Sequence, residues 1–318
     1  MLYHACMKNT LSRALSVIAT TCVLASAGTA QAKVYRVYYL GGQSNMDGYG
    51  RNSDLSDKQR QPVDGCMIYR GRMQGSGEQP QGAGVWATLT PGFGGGYTSD
   101  GTTNTLGDRF GPELSFGAQM QKLHPDANIA IVKYSRGGSS IALESGGATW
   151  DVDDRREKNG RIGINQFDHA LKTIDMALTT TDIDGDGEAD TLIPCGIVWM
   201  QGESDGTHEG AANAYEENLD ELMNLLRAAL RVDELPVVVG RISDSNLRNG
   251  NEIVWKFGET IRAAQKQFCD DDPAAALVTS TDAYGYSDPY HYDSEGFFDL
   301  GQEFAKAMHA LETGNASD

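Results

Sequence analysis

Three short segments of the 318-residue chain carry side chains that could together move an acyl group. A serine hydroxyl is a poor nucleophile until a base takes its proton and preorganised donors receive the charge that develops on the carbonyl oxygen. Gly42-Gln43-Ser44-Asn45-Met46 follows an apolar run and would expose Ser44 in a tight turn at a strand's carboxyl end. Taken alone, that segment reads equally as a plain strand-to-loop turn. Asp288-Pro289-Tyr290-His291 sets a carboxylate three residues before an imidazole, close enough for Asp288 to fix the His291 tautomer through Nδ1 and leave Nε2 for the serine. Trp199-Met200-Gln201-Gly202-Glu203-Ser204-Asp205 ends another apolar run, where the Gln201 amide could join the oxyanion donors. Glu203 is either a rival for the acid of the triad or a buried carboxylate with a structural hydrogen bond, and the second is favoured.

The remaining candidates have weaker patterns. His124, His169 and His309 fall on or beside helical stretches and read as surface or packing residues, while His208 stands near enough to the 199–205 segment to line a site. Asp182, Asp184, Asp186 and Asp190 recur at alternate positions around Gly187, like the first half of a calcium loop. Position twelve would be Ile193 instead of a bidentate glutamate, so the segment is either a shortened site for a structural calcium or a solvated acidic turn. Gly94-Gly95-Gly96 lacks the Gly-Lys-Ser/Thr ending of a phosphate cradle.

Positioning these groups falls to short apolar runs at 34–40, 129–134, 193–200, 237–242 and 275–280. Near-continuous apolarity predicts strands covered on both faces. Between them, residues 213–230 repeat Leu219, Leu222, Met223, Leu226 and Leu230 at steps of three and four, one buried face of a helix. Weaker stripes cover 112–123, 164–178, 253–268 and 297–311. Alternating strand and helix predict a parallel sheet with helices on both sides. Residues 51–108 have little periodicity and read as a long insertion with one short strand near 66–69. Its Trp86, Phe93 and Tyr97 either stack on sugars or pin the loop down.

The three blocks stand in the same order in SGNH hydrolases of the sialate O-acetylesterase and acetylxylan esterase group, and the chain resembles carbohydrate esterase family six. Phe110-Gly111-Pro112-Glu113 and Lys133-Tyr134-Ser135-Arg136-Gly137-Gly138-Ser139 resemble two further family segments, so the likeness runs from Val34 to the last helix. It implies a three-layer α/β/α sandwich on a five-stranded parallel sheet of flavodoxin-like order. It also implies Ser44 as nucleophile, His291 as base, Asp288 as its partner, and an oxyanion hole from the Ser44 N–H, the Gly138 N–H and the Gln201 amide. Gly137, next in the chain, could exchange with Gly138. The implied reaction removes O-acetyl groups from an oligo- or polysaccharide, acetylxylan or another such as a sialate, and requires no cofactor. A carbohydrate-binding protein that keeps the fold without turnover is the alternative from another class.

Lys8 and Arg13 precede a short apolar run that ends in Ala30-Gln31-Ala32, the pattern of a cleavable export signal over 1–32. Its removal takes the net charge from −18 to −20 and leaves one domain, 33–318, expected to be secreted or periplasmic. So acidic a surface repels nucleic acid and anionic membranes. Cys66, Cys195 and Cys269 remain; one internal disulfide at most can form, Cys66 with Cys269 if any, and Cys195 reads as a small core residue.

Overall fold

All five apolar runs become strands, and their order across the sheet decides where a ligand can sit. The computed structural model describes residues 31–143, 145, 147–158, 160–250 and 252–314, so the expected export segment lies outside it apart from Gln31 and Ala32. Strands β1 (Val34–Gly42), β4 (Asn128–Ser135), β5 (Thr191–Met200), β6 (Val237–Gly240) and β7 (Ala275–Val278) pair in parallel. Two more come from the insertion: β2 (Cys66–Arg70) runs parallel to β4, and β3 (Ala87–Thr88) closes the edge antiparallel. The sheet thus has seven strands instead of the expected five, in the order β7-β6-β5-β1-β4-β2-β3. The five expected strands nevertheless keep the flavodoxin-like arrangement, in which the chain reverses direction across the sheet beside β1. Open sheets bind ligands at the carboxyl edge of that point.

Helices α1 (Ser44–Asp47), α2 (Pro112–Leu123), α3 (Gln166–Thr179), α4 (Glu209–Asn213), α5 (Tyr215–Leu230), α6 (Gly258–Asp271) and α7 (Ser294–Thr313) complete the three layers. α2 packs on α7 over one face of the sheet, and α5 packs against α3 and α6. α5 buries the Leu219–Leu230 stripe, and α7 buries Phe297, Leu300, Phe304 and Met308, each such side chain contributing about 2 kcal/mol. α6 starts at Gly258, five residues later than its periodicity suggests, because the Asp244 carboxylate accepts from the Val254 and Trp255 amides and holds that stretch as a loop.

The insertion is anchored by its aromatic residues, which settles one alternative. Trp86 is buried with its Nε1 on Ala177 O at 3.1 Å, Phe93 is 1% exposed, and Tyr97 OH donates to Arg70 O at 2.8 Å. None of the three offers a face to a sugar. Cys66, Cys195 and Cys269 are all free, so the expected Cys66–Cys269 bridge is absent. Cys66 sits on β2 beneath α2, and Cys269 on α6 beside β7, at opposite ends of the sheet. Cys195 is only half-buried.

Candidate active site

Strand β1 ends at Gly42, where φ is +143° and a Cβ would stand 2.0 Å from Met200 O. Only glycine lets β1 and β5 approach this closely. Gln43 N then donates to Met200 O at 2.9 Å, Arg136 N to Gly42 O at 3.0 Å, and the chain turns into α1 with Ser44 as its first residue. The ends of β1, β4 and β5 are thereby tied together around Ser44.

A buried ionic layer supports this turn from below. The Asp47 carboxylate receives the Arg70 guanidinium and Ser135 Oγ, while Lys133 Nζ bonds Glu113 at 2.6 Å, Asp47 O at 2.9 Å and Phe93 O at 3.1 Å. These contacts explain why the 110–113 and 133–139 segments accompany the serine block. Removing one partner of such a pair leaves a buried charge uncompensated, typically at about 3–5 kcal/mol.

Above the turn opens a cavity of about 480 Å³ whose walls include both Ser44 and His291. His291 Nδ1 lies 2.8 Å from Asp288 Oδ2, and Asp288 Oδ1 accepts from the Tyr290 and His291 amides at 2.8 and 3.0 Å. The Tyr49 ring covers the imidazole, with centroids 3.9 Å apart and planes 9° from parallel. Ser44 Oγ and His291 Nε2 make no hydrogen bond among the described residues, so both remain available to a ligand in the cavity. A larger hollow beside Asp293 and Phe298 has no comparable pairing of serine and histidine.

The amide donors are arranged differently from expectation. The backbone N–H groups of Ser44, Gly137 and Gly138 have no partner among the described residues. Gly137 stands against the serine, since a Cβ there would lie 3.6 Å from Ser44 Cβ, whereas one on Gly138 would meet nothing within 4 Å. Gln201 is fully buried, and its Nε2 already donates to Asp205 Oδ2 at 2.6 Å and Ser139 O at 3.1 Å. Gln201 does not line the cavity. Gln43 does; its Oε1 accepts from Ser204 N at 3.3 Å and lies as close to Gln201 Nε2, which can only share a hydrogen with it, and its own Nε2 has no partner among the described residues.

The sequence from 34 to 310 matches the family model described as carbohydrate esterase, sialic acid-specific acetylesterase. The chain belongs to this family. Membership makes it a carboxylic ester hydrolase, a carbohydrate acetylesterase. Solved structures share its fold at low identity. A carbohydrate acetylesterase from Xanthomonas citri superimposes with a TM-score of 0.61 at 18% identity, over 88% of this chain and 57% of that one. NanS gives 0.56 at 16% over 90% and 99%, and an Arabidopsis thaliana protein gives 0.54 at 19% over 86% and 97%. No curated protein matches the sequence. Among the described residues, no helix is long and apolar enough to cross a membrane.

Within this esterase, Glu203 lies away from the histidine. Its Oε1 accepts from Asn45 Nδ2 at 2.7 Å, and Asn45 in turn reaches Tyr290 O at 3.2 Å, so the carboxylate braces the His291 loop through Asn45. Glu203 Oε2 is buried without a hydrogen-bond partner among the described residues. Burial pushes the Glu203 pKa up to about 7, and burial likewise raises Asp205 to about 6. The folded state then holds the Glu203 proton more tightly than the unfolded chain. The resulting stabilisation is complete below about pH 4.5 and is lost as pH rises through about 7. Glu203→Gln keeps the acceptor for Asn45 and removes the titration. Its melting temperature is expected to exceed that of the unsubstituted enzyme by several degrees at pH 8 and to converge with it near pH 4.5. A gap that stays constant across that range would refute the buried ionisation.

His208 is exposed at the start of α4 and does not line the cavity; Ser204 and Thr207 line that side. In the acidic loop, Lys33 Nζ bonds Asp184 and Asp186, while Asp182 accepts from Gly185 N and Gly187 N and Asp190 from Lys33 N and Ile183 N. The oxygens of Asp182, Asp184 and Asp190 still converge within 4.8 Å. Lysine thus supplies a cation there from within the chain. Tyr49, Arg136, Trp255 and Tyr290 also line the active-site cavity, and the Trp255 and Tyr290 rings pack with centroids 5.7 Å apart and planes tilted by 48°. Sequence reasoning passed over them. Tyr49, five residues after Ser44, Arg136, inside the 133–139 segment, and Tyr290, inside the Asp-x-x-His block, carried a positional signal, whereas Trp255 carried none.

Proposed function

We propose that this enzyme removes O-acetyl groups from carbohydrate by a two-step serine mechanism. The observation that carries the reading is the shared cavity, lined both by an unengaged Ser44 and by a His291 already oriented by Asp288. His291 Nε2 takes the Ser44 proton as Oγ bonds to the acetyl carbonyl carbon. The C–O bond to the sugar then breaks, and His291 returns the proton to the departing sugar oxygen. Water adds to the acetyl-enzyme with His291 again as base, and acetate leaves with the Ser44 hydroxyl restored.

The charge on the carbonyl oxygen is received by the Ser44 N–H, the amides of the Gly137-Gly138 turn and Gln43 Nε2. Gln201 positions Gln43 in this reading and does not touch the oxyanion. Gln43→Ala is expected to lower kcat by about 10²–10³-fold with little change in melting temperature. Gln201→Ala leaves the buried Asp205 short of a donor and should also lose stability. If only Gln201→Ala affects kcat, the donor has been assigned to the wrong residue.

Trp255 and Tyr290 are the aromatic faces on which a sugar ring would stack. Acetylated xylan is the first-choice substrate. A second reading has its own observation: among the described residues Arg136 is the one guanidinium lining the cavity, and a sialate carboxylate would pair with it. Acetate release from acetylated xylan, O-acetyl sialic acid and a small chromogenic acetate, measured side by side, separates the two. Loss of activity in Arg136→Gln on the sialate alone would favour the sialate. Failure to release acetate from any of the three would overturn the esterase assignment. Export after cleavage at Ala32 belongs to the same proposal, since such polymers lie outside the cell.

A further inference from the structure

At the edge of the sheet opposite the catalytic turn, three potential metal donors converge between α2 and α7. His124 is the residue that ends α2, and His309 and Glu312 stand one turn apart on α7. His124 Nε2 is 3.2 Å from His309 Nδ1 and 3.0 Å from Glu312 Oε2. The Glu312 side chain is 8% exposed, and its Oε2 has His124 as its ion-pair partner but no further hydrogen bond among the described residues. Its other oxygen, Oε1, is fixed by Tyr38 OH at 2.7 Å and Arg36 at 2.9 Å. A buried carboxylate oxygen and two imidazole nitrogens thus converge, the three atoms lying within 4.8 Å of one another.

We propose that His124, His309 and Glu312 bind a zinc ion. The spacing suits it: ligands about 2.0 Å from a tetrahedral zinc lie about 3.3 Å from one another, and the two distances from His124 Nε2 approach that edge. Two neutral imidazoles and one carboxylate form a donor set that zinc accepts and that calcium and magnesium, which seek oxygen, do not. Tyr38 and Arg36 orient the carboxylate from behind, as outer partners of metal ligands commonly do. The alternative without metal is a histidine–histidine contact beside a His124–Glu312 ion pair, and zinc titration separates the two.

The ion would join the last turn of α2 to the last turns of α7, the helix that follows the His291 loop. It would stabilise the fold and take no part in the reaction. The full chain, free of any histidine tag and treated with chelator, is titrated with zinc by calorimetry, and its melting temperature is recorded with zinc, calcium or magnesium. One zinc per chain is expected with micromolar or tighter affinity, and zinc at a hundred times Kd should raise the melting temperature by several degrees. Calcium and magnesium should leave this transition unmoved. His309→Ala and Glu312→Gln should each weaken zinc binding at least tenfold while acetate release without added metal stays unchanged, which also shows that the variants are folded. Absence of zinc binding in the unsubstituted chain, or equal binding by both variants, would overturn the proposal.

Discussion

Ser44→Ala is expected to lower kcat/KM for acetate release by about 10⁴-fold or more. The hydroxyl removed stands at the end of β1 in the cavity that His291 also lines, and it makes no hydrogen bond among the described residues. The melting temperature should therefore change little, since deleting an unpartnered hydroxyl leaves no buried group stranded. Residual rate above the uncatalysed reaction is still expected. The free amides at Ser44, Gly137 and Gly138 can polarise a bound carbonyl for attack by water. A chromogenic acetate measures the loss directly, and an acetyl-enzyme trapped by rapid quench should be present in the unsubstituted enzyme and missing in the variant. Full activity in Ser44→Ala would reject the serine mechanism, whatever the substrate.

How much of this centre could be read in advance follows from the physics of each part. Strands β1, β4, β5, β6 and β7 were legible because burial on both faces writes itself as continuous apolarity. β2 was legible as the short run near 66–69, but β3 was hidden because it lies in a segment held by polar contacts, such as the Arg70–Asp47 pair and the Tyr97 hydroxyl, which have no period. Asp288 and His291 were legible because a three-residue spacing in one turn already fixes their separation. The choice between Gln43 and Gln201 was not, because it depends on where amide hydrogens are spent: Asp205 and Ser139 consume those of Gln201, and Ser139 lies 62 positions away in the chain. Trp255 enters the cavity only because Asp244 holds residues 254 and 255 out of α6. His124 and Glu312 meet only after α2 and α7 have packed, 188 positions apart in the chain.

Asp288→Asn is expected to reduce kcat by about 10³–10⁴-fold with KM nearly unchanged. Burial opposes ionisation of Asp288, but hydrogen bonds from His291 and from the Tyr290 and His291 amides outweigh it and hold the carboxyl below its ordinary value. The group is thus a carboxylate at any pH where His291 can act as a base. Oδ1 is claimed by the two backbone amides, so an asparagine must keep its oxygen there and turn its NH2 toward His291 Nδ1. Nδ1 then becomes the acceptor, and the ring proton moves to Nε2, the nitrogen needed to take the Ser44 proton. This predicts an unusual order: Asp288→Ala, in which water can accept from Nδ1–H, should retain more activity than Asp288→Asn. Glu203→Gln should stay within about tenfold of the unsubstituted enzyme, since Glu203 reaches His291 only through Asn45 and the loop backbone. Measuring kcat for the three variants on one acetate ester decides the acid. Collapse of Glu203→Gln beside a nearly active Asp288→Asn would transfer the role to Glu203, while Asn and Ala variants of equal activity would remove tautomer control from the account and leave Asp288 only as a hinge for its loop.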